Sequence, residues 1–230
     1  MEKNQKNNEE STLEKIKDFG IVQTDNSKHK IHCLTIIGEI EGHNVLPEQS
    51  KTTKYEHVIP QLVAIEESKE IEGLLIILNT VGGDVEAGLA IAELISGMKK
   101  PTVSFVLGGG HSIGVPLAVS AKKSFIAPSA TMTVHPVRSN GLMIGVPRMM
   151  NHFARMQARI TDFVVKNSKI TDKKFTELMM NTQEMVTDVG SVLSGEKAVD
   201  VGLIDNIGTL NEVIESLYEM IELYRDTQGS

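Results

Sequence analysis

One pattern occurs twice in this sequence and limits the fold more than any other feature: an apolar run, a glycine cluster, then a segment of helical periodicity. The run Gly73-Leu74-Leu75-Ile76-Ile77-Leu78 reads as a buried strand and leads into Asn79-Thr80-Val81-Gly82-Gly83-Asp84, read as a tight glycine turn. From Val85 to Met98 apolar residues recur at helical spacing until Lys99-Lys100-Pro101 stops them. Thr102 to Leu107 supplies the next strand, which ends at Gly108-Gly109-Gly110-His111-Ser112, and a helix from Ile113 to Ala121 follows. Strand, turn, helix and strand make a βαβ unit, which closes right-handed and covers a parallel sheet with helices. The expected class is therefore α/β.

The flanking elements fit that class. Ile31 to Gly38 is β-branched enough for a strand, GHNVLPEQSKTTKYEH reads as loop, and His57 to Ser68 has helical spacing. Ser124 to Ile126 and Thr131 to Val134 read as short strands. Arg148 to Lys166 carries Met149, Phe153, Met156, Ile160, Phe163 and Val164 on one face of a long amphipathic helix. Helices at Lys173 to Met180 and from Ser194, a strand at Leu203 to Ile207 and a closing helix at Leu210 to Tyr224 complete the reading. Residues 1–30, opening with EKNQKNNEE, are too polar to join a core and are expected to form a flexible extension, with a short helix at Ser11 to Asp18. One domain over 31–224 and a disordered tail over 225–230 are expected.

Composition narrows the function classes. With 23 basic against 30 acidic residues, net −7, no Lys/Arg block interleaved with aromatics is available to track a phosphate backbone, so nucleic acid is not an expected partner. Aromatics are 4% with no Trp, which leaves an aliphatic core. The single Cys33 forbids an internal disulfide and fits a reducing compartment. Neither a signal-like run nor about 18 consecutive apolar residues occurs, so a cytoplasmic protein with no membrane insertion is expected. The seven His form no HExxH pair or i, i+4 doublet, and no metal or other cofactor is assigned.

Successive strand-to-helix turns of a parallel sheet lie side by side at its carboxyl edge, where α/β folds place their sites. That brings together Asn79 to Asp84 and Gly108 to Ser112. A Ser after a strand and before a helix exposes its hydroxyl beside backbone N–H groups, as a nucleophile would, but Ser is also an ordinary helix cap. Gly82-Gly83 can bring an N–H to a substrate oxyanion or can merely satisfy a tight turn. His135, at a strand end before Pro136, is oriented as a general base needs, or is structural.

Taken together the motifs resemble a known family. Asn79-Thr80-Val81-Gly82-Gly83-Asp84 and the helix start Ala87-Gly88-Leu89 look like the Asn-Ser-Pro-Gly-Gly signature of the Clp protease proteolytic subunits. Gly110-His111-Ser112-Ile113-Gly114 is similar to that family's nucleophile turn, and Thr133-Val134-His135-Pro136 to its base segment. Leu193-Ser194-Gly195-Glu196 through Gly202-Leu203-Ile204-Asp205 is similar to its closing stretch. The resemblance covers roughly residues 31 to 217. It implies a ClpP/crotonase-like fold of repeated βαβ units with a long protruding helix, and a serine endopeptidase acting on peptides or unfolded proteins inside a homo-oligomeric ring, with an unfolding ATPase as an expected partner. Carried over by position, it implies Ser112 as nucleophile, His135 as base, and the N–H groups of Gly83 and Ile113 as the oxyanion hole.

Departures from the family pattern are equally specific. Val81 replaces a Pro, His111 stands where a small residue is usual, and Pro116 sits early in the nucleophile's helix. The gapless equivalent of the family's triad Asp is Gly190, so the resemblance implies Asp188 as third member only through a small insertion, with Glu184 as the fallback. The polar extension and the Glu41 to His57 segment look like the translocation-enhancing TepA group of Clp-like peptidases, which implies a link to preprotein export. Three other readings stay open: a crotonase-like acyl-CoA enzyme, a Ser–Lys peptidase using Lys166, and a non-catalytic assembly or adaptor module on the same fold.

Overall fold

The structure is a computed structural model that describes residues 28–138, 146–183 and 189–228. The extension and helix expected before residue 28, and the acids Asp188 and Glu184, lie outside the described residues.

A parallel sheet runs in the order β2-β1-β3-β4-β5-β8. Its strands are β1 (Ile31–Glu41), β2 (Thr52–Lys54), β3 (Gly73–Gly83), β4 (Thr102–Gly110), β5 (Lys123–Ile126) and β8 (Asn206–Ile207). Strand β6 (Thr131–Val134) leaves this path, pairing with β4 only at Gly109↔Thr131 and antiparallel with β7 (Ser191–Ser194). The helices are α1 (Tyr55–Glu67), α2 (Val85–Gly97), α3 (Gly114–Val119), α4 (Val146–Lys166), α5 (Asp172–Met179), α6 (Gly195–Asp200) and α7 (Leu210–Gln228).

The uniform apolar run predicts strand β3, and both of its faces are covered: Leu74, Leu75, Ile76 and Leu78 are all buried. Helix α7 packs on β3 and β4, where Ile221 and Leu217 close over Gly73 so tightly that a Cβ there would lie 2.9 Å from the Ile221 Cδ1. Helix α2 packs between α1 and α3 and starts at Asp84, whose Oδ1 accepts the Ala87 N–H at 2.8 Å. Lys100 and Lys122 act as cationic caps: the Lys100 Nζ donates to the carbonyls of Ile65, Ser68 and Ile71 around the end of α1, and the Lys122 Nζ to those of Met98, Lys99 and Lys100, which follow the end of α2.

Several expected boundaries move, for identifiable reasons. The glycine cluster Asn79 to Gly83 is not a tight turn but the extended end of β3, still paired with β1 through Glu39↔Gly82 and Ile40↔Gly83. The strand Thr102 to Leu107 likewise continues to Gly110, past an irregularity at which the Asn79 Oδ1 accepts the Gly109 N–H. Within the expected loop before residue 57, Thr52–Lys54 forms β2 and the helix starts at Tyr55. Helix α3 is shorter than expected, Leu203 to Ile207 reduces to the two residues of β8, and α7 continues to Gln228. His29, in the segment expected to be flexible, is 3% exposed and edge-on to Tyr218.

Candidate active site

The carboxyl ends of β3, β4 and β6 meet, and each delivers one part of the site. Ser112, between β4 and α3, has φ of +56° and is the only non-glycine with positive φ among the described residues. That conformation costs an L-residue about 1–2 kcal/mol and persists only where neighbours enforce it. The neighbours are on three sides. The Ser112 N–H donates to Thr133 O of β6 at 2.9 Å, the His111 N–H to Thr80 O of β3 at 3.1 Å, and the Val115 N–H of α3 to Ser112 O at 3.0 Å.

Glycine is needed opposite the serine. A Cβ on Gly82, whose φ is +95°, would lie 2.6 Å from the Ser112 Cβ and 3.1 Å from its Oγ. A Cβ on Gly83 would strike the Ile40 backbone at 2.3 Å, which fixes the end of β3 against β1. Gly88 does the same service for the other side of the site, since a Cβ there would meet the Ile113 Cγ1 at 2.4 Å.

Ser112 and His135 line one cavity of about 180 Å³ together with Gly83 and Ile113. The four described residues that sequence reasoning selected are thus brought together. The rest of the wall is mostly apolar, from Val85, Val115, Val134, Pro136, Ile160 and Phe175. A larger, more polar groove of about 580 Å³ adjoins it, sharing Gly83, Val85, Val137 and Arg138, and extends past Glu39, Glu41 and His152. The His135 Nδ1 is 2.7 Å from Pro136 O. A carbonyl only accepts, so Nδ1 carries the proton in this pair and Nε2 carries the lone pair. Such a set can place a hydroxyl, an imidazole and backbone N–H donors around one acyl carbon.

Three residues beside the pair were not identified by sequence reasoning as parts of the site. Thr133 ties the serine's backbone to the strand that ends at His135. His111 packs its ring against Gly109 and shares a 2.8 Å hydrogen bond between its Nδ1 and the Thr133 Oγ1. Burial first, and then repulsion from His135 whenever that ring is protonated, push the His111 imidazole below its ordinary pKa and favour its neutral form. Gly190, at φ of +142°, lies against His135. Lys166, by contrast, lines a separate groove of about 360 Å³ with Glu86, Glu93, Arg159 and Asp162, not the cavity of Ser112.

The Clp protease family model matches residues 27–211 of the chain. The chain belongs to the Clp protease family. It is 56% identical over 211 residues to the translocation-enhancing protein TepA of Halalkalibacterium halodurans, spanning 91% of this chain and 82% of that one. To the ATP-dependent Clp protease proteolytic subunit of Streptococcus pyogenes it is 26% identical over 162 residues, 68% of this chain and 79% of the relative. A ClpP1 mutant from Listeria monocytogenes shares the fold, with a TM-score of 0.63 at 22% identity over 78% of this chain and 92% of that one. By family the chain is a ClpP-like protease. No helix among the described residues is long and apolar enough to cross a membrane.

Proposed function

We propose that this Clp-family chain is a serine endopeptidase working through Ser112 and His135. The Ser112 Oγ attacks the scissile carbonyl carbon while the His135 Nε2 takes its proton. The N–H groups of Gly83 and Ile113 hold the oxyanion, and His135 then returns the proton to the leaving amine. Water completes the cycle by the same route, freeing the acyl group from Ser112. The observation that carries this reading is the left-handed Ser112, held by Thr133 in one cavity with His135, Gly83 and Ile113.

Asp188 is the proposed third member. In the sequence it stands two positions before Gly190, the glycine that lies against His135. Glu184 is the alternative. The mostly apolar cavity favours an uncharged aliphatic or aromatic side chain beside the scissile bond, and the polar groove suits the extended chain leading to it.

Assembly is part of the proposal. On α4 the apolar residues Met149, Phe153 and Met156 are only half-buried and Met150 is 60% exposed, which fits a stripe covered by a neighbouring copy in a homo-oligomeric ring. An unfolding ATPase would feed such a chamber, unfolded polypeptide would be its substrate, and the cytoplasm its location. The name of the Halalkalibacterium relative adds a connection with preprotein export.

Incubation of the purified protein with an unstructured protein substrate, with new termini read by mass spectrometry, tests the reading. Cleavage after apolar residues that disappears in Ser112→Ala is expected. Equal cleavage by Ser112→Ala would refute it, and no cleavage by assembled wild type would favour the non-catalytic adaptor.

A further inference from the structure

The nucleophile and its base come from different strands, and little sheet pairing holds those strands together. β4 and β6 share one registered pair, Gly109↔Thr131, after which the chain of β4 turns away into the serine loop. Beyond that pair the tie between them passes through Thr133. Its carbonyl accepts the Ser112 N–H at 2.9 Å and its Oγ1 bonds the His111 Nδ1 at 2.8 Å. Thr133 lies in β6 and His135 directly follows the end of that strand; the Thr133 Oγ1 reaches His111, and His135 lines the cavity of Ser112.

His111 is bonded in three directions. Its N–H reaches Thr80 O on β3 at 3.1 Å, its carbonyl accepts the Gly114 N–H at 2.8 Å as α3 begins, and its ring reaches β6. The ring lies over Gly109, where a Cβ would be 2.5 Å from Nε2 and 2.8 Å from Cδ2. Gly109 is therefore the floor on which the imidazole rests as it reaches Thr133.

We propose that His111 is a positioning residue, whose imidazole locks the strand bearing His135 to the loop bearing Ser112 through Thr133. The proposal rests on the peptidase reading. A neutral ring can make this bond without a second positive charge beside the base, and the lock opposes relaxation of Ser112 from its left-handed conformation. Misplacement by about 1 Å of a group in a catalytic pair costs on the order of 100-fold in rate. The lock should consequently appear in kcat rather than in substrate affinity.

The test is steady-state hydrolysis of a fluorogenic peptide by the full chain, with thermal denaturation of each variant. His111→Ala should lower kcat about 10- to 100-fold with KM changed less than about threefold and the melting temperature nearly kept. His111→Asn, which puts a polar atom where Nδ1 stands, should recover to within about threefold of wild type. Thr133→Val should match His111→Ala, and the double variant should be no worse than either single one, because both remove one bond. Gly109→Ala, which pushes the ring from its floor, should reproduce the loss with the imidazole intact. Wild-type kcat in Thr133→Val, multiplicative losses in the double variant, or no recovery in His111→Asn would each overturn the proposal. Should His111→Ala not fold, Thr133→Val and Gly109→Ala carry the test alone. Ser112→Ala separates the two levels: hydrolysis abolished by it but indifferent to His111 overturns only the lock, whereas no wild-type hydrolysis overturns the peptidase reading and the lock together.

Discussion

Gly190 abuts His135: a Cβ on Gly190 would lie 2.8 Å from the His135 Cβ and 2.5 Å from Val134 O. The glycine stands at the position where the family pattern calls for an acid, in a region of backbone space, φ of +142°, that side chains rarely adopt. A side chain there would be strained and would clash with Val134 and His135, so this position is not suited to an acid serving His135.

Gly190→Ala is accordingly expected to cost about 1–3 kcal/mol of stability from backbone strain alone, and to displace the end of β6 that presents His135. Gly190→Asp, which restores the family residue in register, should be as damaging rather than beneficial. Urea denaturation and peptide hydrolysis of both variants check this.

Asp205 anchors β5 to the loop before β8. Its Oδ2 accepts both the N–H and the Oγ–H of Ser124 at 3.0 Å, and its Oδ1 pairs with the Lys169 Nζ at 2.8 Å. Burial alone would raise this carboxyl, but the hydrogen bonds from Lys169 and Ser124 outweigh it and hold the group below the ordinary Asp value. A depressed folded pKa contributes stability that is present above the unfolded value, about 3.9, and is lost as pH falls through the folded value. Asp205→Asn should therefore be less stable than wild type by about 1–3 kcal/mol at pH 7, with the gap narrowing below about pH 4. Denaturant midpoints measured from pH 7 to pH 2 report it.

Phe153, half-buried on α4 beside exposed Met150, is expected to be covered by a second copy. Phe153→Asp should shift the assembly to smaller species while leaving the chain folded, because the side chain contributes little to the described core. Native mass spectrometry with circular dichroism distinguishes that outcome from unfolding. An unchanged assembly would place the interface elsewhere.

The parts of this molecule that were legible from sequence are those set by hydrophobic periodicity. The runs at Gly73 to Leu78 and Thr102 to Leu107 announce β3 and β4, and the spacing from Arg148 to Lys166 announces α4, because burial selects apolar residues through most of the two strands and along one face of the helix. The glycine strings read as turns in the sequence. They continue the strands instead, and glycine is kept there because a Cβ would meet Ser112 at Gly82, the Ile40 backbone at Gly83, the Asn79 side chain at Gly108 and the His111 ring at Gly109. The three-residue β2 carries no apolar pattern and was read as loop. Within the site, Ser112 and His135 were legible from strand-end placement and motif. The bond between His111 and Thr133 was not, since it joins polar side chains 22 positions apart and no periodicity records it. Gly190 had a signal, the broken register at the acid position, but its contact with His135 exists only once β6 and β7 pair.

The most direct test of the central claim is labelling of intact protein with a fluorophosphonate, followed by mass spectrometry and peptide mapping. A single adduct on Ser112 is expected, absent in Ser112→Ala and formed about 100-fold or more slowly in His135→Ala, with Asp188→Ala also slowed. An adduct on another residue, labelling that survives Ser112→Ala, or no adduct on folded and assembled wild type would contradict it.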